Sequence, residues 1–156
     1  MTKRGLFAKL IAVAACVALV ACDNVVYTDC RDVGSGWSKD SVLTFPLTID
    51  DPHGLYQTQI VVRNTDAYRN QNLWLFVDTE TPAGTHCRDT VQFFLADEFG
   101  RWVGSGVGTI FENVWIYQPR VRYSEAGTYT LRVQHGMRYD TLDGIGEVGV
   151  RVLRID

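Results

Sequence analysis

The segment EAGTYTLRVQH, residues 125–135, decides the fold class of this chain. After a turn signal that ends in Gly127, the apolar side chains of Tyr129, Leu131 and Val133 alternate with polar ones. Successive side chains of a β-strand point to opposite faces of the sheet, so a period of two is typical of a strand with one buried face. The segment therefore predicts a strand that packs one face against a hydrophobic core.

The same alternation recurs between turn signals over most of the chain after residue 40, and no stretch of more than ten residues after Cys22 keeps a helical period. Seven or eight short strands predict an all-β fold, an antiparallel β-sandwich over residues 40–156. Residues 125–131 are similar to the penultimate strand of immunoglobulin-type sandwiches, in which the tyrosine hydroxyl bonds back to the preceding turn. Because other sandwiches share this corner, immunoglobulin-like and jelly-roll-like topologies both stay open.

Individual residues refine this prediction. Pro46 has no N–H group for a strand ladder, which predicts that the strand Leu43–Ile49 lies at a sheet edge or contains a bulge. Tyr68 lies inside the polar loop 64–72 and is expected to be exposed. Three other aromatic residues alternate with their neighbours and are expected to fill the core: Trp74, Phe76 and Phe93.

The first residues of the chain have the layout of an export signal, residues 1–21. A basic start is followed by twelve apolar residues, Leu10–Ala21. As a helix this run would span about 18 Å, against roughly 30 Å for the hydrocarbon core of a bilayer, so it is too short for a good membrane-spanning helix. Residues 22–39 are polar and are expected to form a tether, with a short strand at Val25–Tyr27 at most.

The end of this leader, Leu19–Cys22, is similar to the lipobox of bacterial lipoproteins. The resemblance implies that Cys22 becomes the first mature residue and carries acyl chains. Two or more acyl chains hold a protein stably at a membrane without any contact between the folded domain and the bilayer. The alternative is a plain secretory signal in which the cysteine has no role.

The charge of the chain argues against a nucleic-acid partner. The 156 residues include 15 Lys and Arg against 18 Asp and Glu, a net charge of −3. Three of the basic residues, Lys3, Arg4 and Lys9, belong to the leader, so the remainder is more acidic still. Nucleic-acid binding requires a basic surface, which this composition does not supply.

Two cysteines, Cys30 and Cys87, remain after the leader and Cys22 are set aside. In an oxidising, exported compartment they would either form a disulfide or stay as two thiols, and their spacing does not decide between the two. A bridge would close a loop of about 57 residues and stabilise the fold by roughly 4 kcal/mol. No CxxC motif is present and the three histidines are scattered, so no metal ligand set and no cofactor is expected.

No motif of a known catalytic type occurs in the sequence. The glycine-rich segment Gly104–Gly108 lacks the lysine of a P-loop and the βαβ setting of a dinucleotide site, and is expected to form a bulge or a flexible hairpin. Four carboxylate pairs lie beside turns, where solvated acids are common: Asp50 with Asp51, Asp78 with Glu80, Asp97 with Glu98, and Asp140 with Asp143. We therefore expect no catalytic residue and a protein that is not an enzyme.

Several segments combine into a more specific pattern. They are the lipobox ending in Cys22, YRNQNLWLF at 68–76, GRWVGSG at 100–106, GTY at 127–129, and MR, LDGI and VGVR at 137–138, 142–145 and 148–151. Together they resemble the gliding-motility lipoprotein family GldH of Bacteroidota, over nearly the whole chain. The resemblance implies a lipid-anchored, periplasm-facing envelope protein without enzymatic activity, in either membrane. It also implies a need for the protein in gliding and a functional link to the type IX secretion machinery.

The contact surface for a partner protein of that machinery is predicted in two polar segments, the loop Asn64–Asn72 and the connection Met137–Gly144. These segments contain Tyr68, Arg69 and Arg138, which are the candidate contact residues. The alternative function is a carbohydrate- or peptidoglycan-binding envelope lipoprotein, which would use exposed Trp or Tyr rings as a platform.

Overall fold

The computed structural model describes residues 24–156, and that part of the chain contains eleven β-strands and no helix. The strands are β1 Val25–Asp32, β2 Trp37–Ser38, β3 Leu43–Ile49, β4 Tyr56–Thr65, β5 Asn72–Glu80, β6 His86–Phe94, β7 Ser105–Val107, β8 Ile110–Val121, β9 Gly127–His135, β10 Thr141–Leu142 and β11 Ile145–Arg154. The leader 1–21 and the lipobox cysteine Cys22 lie outside the described residues. Within 24–156, no helix is long and apolar enough to cross a membrane.

The strands form two packed antiparallel sheets, which confirms the predicted all-β sandwich. The five-stranded sheet has the order β1-β11-β4-β8-β7 and the four-stranded sheet the order β3-β9-β5-β6, while β2 pairs only with β10. The predicted count of seven or eight strands is wrong, because eleven lie in residues 24–156. The eight longer strands have at least seven residues each, whereas β2, β7 and β10 have two or three and are too short to show an alternation.

The connectivity of the eight longer strands is that of a jelly roll. The chain crosses from one sheet to the other at every connection between them except the β5–β6 hairpin. The result is two four-stranded layers, β1-β11-β4-β8 facing β3-β9-β5-β6, as in double Greek-key sandwiches. Of the two topologies left open by the sequence, the jelly-roll order is the one observed.

The core lies between the sheets and follows the alternation in the sequence. The predicted inner row of β3 is buried, and Pro46 lies in that strand at an edge of the four-stranded sheet, as expected. The inner faces of β9 and β11 belong to the same core, together with those of β4 and β5. The buried side chains of β3, β9 and β11 are Leu43, Phe45, Leu47, Ile49, Tyr129, Leu131, Val133, His135, Ile145, Val148, Val150 and Val152.

The turn before β9 is fixed by the tyrosine corner that the sequence predicts. The Tyr129 hydroxyl donates to the carbonyl oxygen of Glu125 at 3.0 Å and accepts from the Glu125 N–H at 3.2 Å. The corner therefore occurs here in a jelly roll, where it satisfies both backbone groups of Glu125.

The tether predicted for residues 22–39 is corrected over its described part. Residues 25–32 form β1, which pairs with β11 along its length, and Trp37 is fully buried, with its indole N–H donating to the Ser41 carbonyl oxygen at 3.1 Å. Because β1 is an edge strand with one face and one edge in water, it tolerates polar residues that hide its alternation.

Between β5 and β8, the structure corrects one prediction and agrees with another. The predicted loop 81–89 is shorter, because β6 already begins at His86. The glycine-rich segment does form a hairpin, β7 with β8, that turns at Gly108. Several exposed apolar side chains line this hairpin, including Val107, Ile110, Val114 and Ile116.

Candidate functional site

The two segments predicted to form a contact surface lie side by side at one end of the sandwich. The Thr65 N–H donates to the Gly144 carbonyl oxygen at 2.8 Å, and the Tyr139 hydroxyl donates to Asn70 Oδ1 at 3.4 Å. Gly144 has a φ of +80°, and a Cβ atom there would lie 2.2 Å from the backbone nitrogen of Tyr68. This close approach requires glycine at position 144.

Tyr68 is not the exposed contact that the sequence suggested. Its side chain is 3% exposed, and its hydroxyl donates to the Asn72 carbonyl oxygen at 2.8 Å. Burial raises the pKa of this phenol well above its usual range. The prediction was wrong because a polar loop can still fold one aromatic side chain inward when a nearby backbone carbonyl accepts its hydroxyl.

The two arginines of the predicted surface are exposed. Arg69 follows Tyr68 in the β4–β5 loop, and Arg138 lies in the connection after β9. Neither makes a side-chain hydrogen bond or an ion pair with any residue in 24–156. Both guanidinium groups are therefore available to a ligand or partner at this end.

A groove opens between the two segments, with a cavity of about 480 Å³. We call it the Trp74 groove; its walls include Asn70, Asn72, Trp74, Met137, Arg138 and Tyr139. A smaller cavity of about 90 Å³ lies behind it and shares two of these walls, Asn70 and Tyr139. Rings, amides and one guanidinium group thus converge on one open space, which is the mixture typical of ligand sites.

Trp74 is positioned by backbone contacts to the connection after β9. The Gly136 N–H donates to the Trp74 carbonyl oxygen at 2.7 Å, and the Trp74 N–H donates to Met137 Sδ at 3.3 Å. A Cβ atom at Gly136 would lie 3.1 Å from the Phe76 ring, so glycine lets the connection pass close to β5. The indole is left 38% exposed on the outer face of the four-stranded sheet.

The expectation that Trp74 and Phe76 fill the core is wrong, whereas that for Phe93 is confirmed. Phe93 points inward and stacks on Trp115 with ring centroids 4.5 Å apart. Trp74 and Phe76 share the outer face with Asp78, while Leu73, Leu75 and Val77 point inward and are fully buried. The sequence carried a signal for this orientation, because a face that also bears the acids Asp78 and Glu80 belongs in water.

Sequence reasoning also missed Asn70, Asn72 and Tyr139 as individual wall residues of the groove. Tyr139 is 51% exposed and lies one residue after the predicted contact Arg138. Both asparagines belong to the predicted loop Asn64–Asn72. The loop was therefore found correctly as a segment, while the side chains that face the groove depend on the folded path of the chain.

The two cysteines do not form a disulfide. Cys30 is half-buried in β1 and Cys87 is exposed in β6, and both are free thiols. The strand order places β1 and β6 at opposite sides of the sandwich, since β1 packs beside β3 whereas β6 packs across from β8. Burial raises the pKa of the Cys30 thiol.

At least one member of each predicted carboxylate pair forms an ion pair with Arg or Lys. Asp51 contacts Arg154 at 2.9 Å, Asp78 contacts Arg88 at 2.7 Å, Glu80 contacts Arg132 at 2.6 Å, Asp97 contacts Arg101 at 2.8 Å, and Asp140 contacts Lys39. A side-chain hydrogen bond from Arg132 lowers the pKa of Glu80, and one from Lys39 lowers the pKa of Asp140. A backbone N–H hydrogen bond has the same effect on two other carboxylates: that of His53 lowers the pKa of Asp51, and that of Arg101 lowers the pKa of Asp97. A general acid needs a raised pKa, so these groups have the environment of structural ion pairs. No group of three or more His, Cys, Asp or Glu side chains in residues 24–156 could hold a metal ion.

Comparison with known proteins gives matches along nearly the whole chain. The model of the GldH lipoprotein family matches residues 25–152, which is nearly all of the described sandwich. The gliding motility lipoprotein GldH homolog of Christiangramia forsetii is 30% identical over 161 residues, covering 98% of this chain and 99% of that protein. The gliding motility lipoprotein GldH of Flavobacterium johnsoniae is 32% identical over 154 residues, covering 94% and 96%.

Among solved structures, the Eiger TNF of S. frugiperda is similar with a TM-score of 0.38 and 8% identity, covering 85% of this chain and 93% of that one. The sequence matches to the family model and to two full-length relatives have the greater weight. They confirm the resemblance found in the sequence motifs, and the chain belongs to the GldH lipoprotein family.

Proposed function

We propose that this protein is a lipid-anchored lipoprotein of the bacterial cell envelope that acts as a non-enzymatic accessory component of gliding motility and the associated type IX secretion machinery. The observation that carries the proposal is the family match over residues 25–152, together with two relatives of full length that are named gliding motility lipoproteins. The domain would face the periplasm and work with other proteins of that machinery.

The position of β1 supports anchoring through Cys22. Strand β1 starts at Val25, three residues after Cys22, and three residues span at most about 11 Å. Acyl chains on Cys22 would therefore hold the sandwich directly at the bilayer surface. Confinement near a membrane raises the effective concentration of the domain for other membrane proteins, so weak contacts suffice.

The groove lies at the end of the sandwich away from this anchor. Val25 pairs with Leu153 at one end of the five-stranded sheet, and the strands of the other sheet run so that Asn72 and His135 lie at the opposite end. An eight-residue strand such as β1 is about 26 Å long. The exposed Arg69 and Arg138 would thus meet a partner on the side that faces away from the membrane.

The environment of the carboxylates supports a non-enzymatic role. Five of the eight carboxylates in the predicted pairs are engaged with Arg or Lys, and the pKa is lowered for four of the five, namely Asp51, Glu80, Asp97 and Asp140. Such groups neither donate a proton readily nor leave a lone pair free for a substrate. These environments favour a role in binding over a role in catalysis.

The anchor is tested by replacing Cys22→Ser in the host, with Cys16→Ser as the matched control in the same leader. Serine has no thiol to acylate, so we expect Cys22→Ser to leave the membrane fraction and to reduce colony spreading and adhesin export, while Cys16→Ser changes none of these. A double variant, Arg69→Ala with Arg138→Ala, should stay in the membrane fraction and still reduce spreading. Normal spreading and membrane retention of Cys22→Ser would contradict the proposal.

A further inference from the structure

We propose that the Trp74 groove binds a saccharide chain that carries acetamido groups. The inference rests on the proposed function because it names the chemistry of a partner at the surface away from the anchor. It assigns a ligand class to a site for which the family name gives none.

The first support is an open aromatic platform. The Trp74 indole is 38% exposed and the Phe94 ring, opposite Asn72 on the neighbouring strand, is 52% exposed. The negative face of an aromatic ring attracts the weakly positive C–H groups on the flat side of a pyranose. The Phe76 ring is not available in this way, because the Arg88 guanidinium covers it at 5.2 Å.

The second support is a pair of amide side chains beside the ring, of which the one on Asn72 has no partner within residues 24–156. The side chain of Asn72 makes no hydrogen bond within residues 24–156, whereas that of Asn70 accepts a long one of 3.4 Å from Tyr139 and also interacts with the Tyr68 hydroxyl. A carboxamide offers two N–H donors and a carbonyl oxygen, whereas an acetamido group offers one donor and one acceptor. The two groups are complementary, and the methyl of the acetamido group would meet the thioether of Met137.

The position of the groove argues against a peptide as the occupant. A peptide that adds a strand needs an unpaired sheet edge, but β5 lies between β9 and β6 with both edges paired. The groove has a single charged wall residue, Arg138, and its other walls are uncharged. An uncharged ligand with an apolar face and polar edges fits this lining, and a saccharide has that form.

The platform is held in place before any ligand arrives. Trp74 is bonded through its carbonyl oxygen to Gly136 and through its N–H to Met137, and Tyr139 contacts Asn70 across the groove. A site that is already ordered pays little conformational entropy on binding, so a shallow saccharide site can retain useful affinity.

The test is calorimetric titration of the full-length protein, in a detergent without a sugar headgroup, with the β-linked N-acetylglucosamine tetramer and with the β-linked glucose tetramer. The two probes differ at each ring by an acetamido group in place of a hydroxyl. We expect the acetylated tetramer to bind at least about tenfold more tightly, a factor that corresponds to one good contact. Trp74→Ala and Asn72→Ala should each weaken this binding by roughly tenfold or more, and Trp74→Phe should retain most of it.

The matched control is Phe99→Ala, which removes an aromatic side chain that is 74% exposed on the loop after β6 and lies outside the groove. It should bind as the unaltered protein does, and thermal unfolding of every variant should show an intact fold. The proposal is overturned by absence of binding at about 10 mM tetramer, by equal binding of both tetramers, or by Trp74→Ala binding unchanged. The Cys22→Ser experiment is independent of this titration, so each proposal can fail without the other.

Discussion

His135 is a buried titratable group with an unusual environment. Its side chain is 2% exposed, and neither ring nitrogen has a hydrogen-bond partner within residues 24–156. The ring packs edge-on against Trp37 with centroids 5.3 Å apart. Burial lowers the pKa of His135, and the nearby Trp37 backbone opposes this only in part. The folded protein therefore favours the neutral form of the His135 imidazole.

Folding stability should consequently decrease in mild acid. The unfolded chain takes up the His135 proton near the ordinary pKa of about 6.5, but the folded protein does so only at lower pH. Between these values the unfolded state binds more protons, so the free energy of unfolding should fall as the pH decreases below about 6.5. We expect His135→Phe, which keeps a ring against Trp37, to flatten this part of the pH profile in denaturant titrations.

His53 provides the control for this measurement, because its side chain is exposed. His53→Gln should keep the same dependence on pH as the unaltered protein. A slope for His135→Phe equal to that of the unaltered protein would show that another group takes up the proton.

Tyr68 and Trp74 mark the limit of prediction for single residues. The sequence predicted a polar loop around Tyr68 and a strand around Trp74, but neither prediction states which way the side chain points. For Trp74 the acids Asp78 and Glu80 on the same face supplied that information. For Tyr68 no local pattern did, because its burial depends on the carbonyl oxygen of Asn72 and on the close approach of Gly144.

Among the elements, the strands with the cleanest alternation were predicted best. The inner rows of β3 and β9 follow from the sequence, because each strand has one face in the core and one in water. Strand β1 was predicted only over Val25–Tyr27, because it is an edge strand with polar residues, and the start of β6 was missed because Pro82 and Gly84 suggested a longer loop. The pairing of β2 with β10 involves two residues on each side, and no sequence pattern is that short.

The turn between β10 and β11 offers a sharp test of the local geometry. Gly144 and Gly34 both have a positive φ, +80° and +75°, but a Cβ atom at Gly144 would lie 2.2 Å from the Tyr68 nitrogen, whereas one at Gly34 would meet nothing within 4 Å. Gly34→Ala should therefore cost only the backbone strain, about 1 kcal/mol. Gly144→Ala should reduce the free energy of unfolding by clearly more, because the loop that holds Tyr68 must shift as well.

Urea denaturation of the two variants measures this difference directly, since the same substitution and nearly the same φ are compared. An equal loss at both positions would mean that the contact between Gly144 and Tyr68 contributes nothing to stability. A larger loss for Gly144→Ala would show that this glycine holds the two segments of the groove end together.

For the whole molecule, the fold class could be predicted but the strand order could not. Alternation shows that a strand has one buried face, but it does not show which strands pair with one another. Two sandwich topologies therefore remained open. The same limit applied to Cys30 and Cys87, whose separation depends on the order of strands in both sheets. The adjacency of the loops before β5 and after β9 was proposed from their polar composition, and the jelly-roll connectivity is what brings them to one end.

The strand order leads to a prediction about thiol chemistry. In the folded, unreduced protein, Cys87 should react readily with an alkylating agent because it is exposed. Cys30 should react slowly until the protein is denatured, because burial hides its sulfur and raises its pKa, which lowers the fraction of reactive thiolate. Peptide mapping by mass spectrometry after timed alkylation measures both rates. A peptide that links Cys30 to Cys87 would contradict the strand order.

Only three positions in the sequence separate Cys22 from Val25, the first residue of β1, so an anchor on Cys22 would limit how far this domain can reach from the membrane. With acyl chains on Cys22, the three residues before Val25 form a linker of at most about 11 Å, which is far shorter than the sandwich itself. The domain would then hold its groove at a nearly fixed distance from the bilayer surface, about the length of one strand. Any partner that binds the groove would have to lie at that distance from the bilayer. A long flexible insertion before Val25 would make the distance variable while leaving every contact within the domain unchanged.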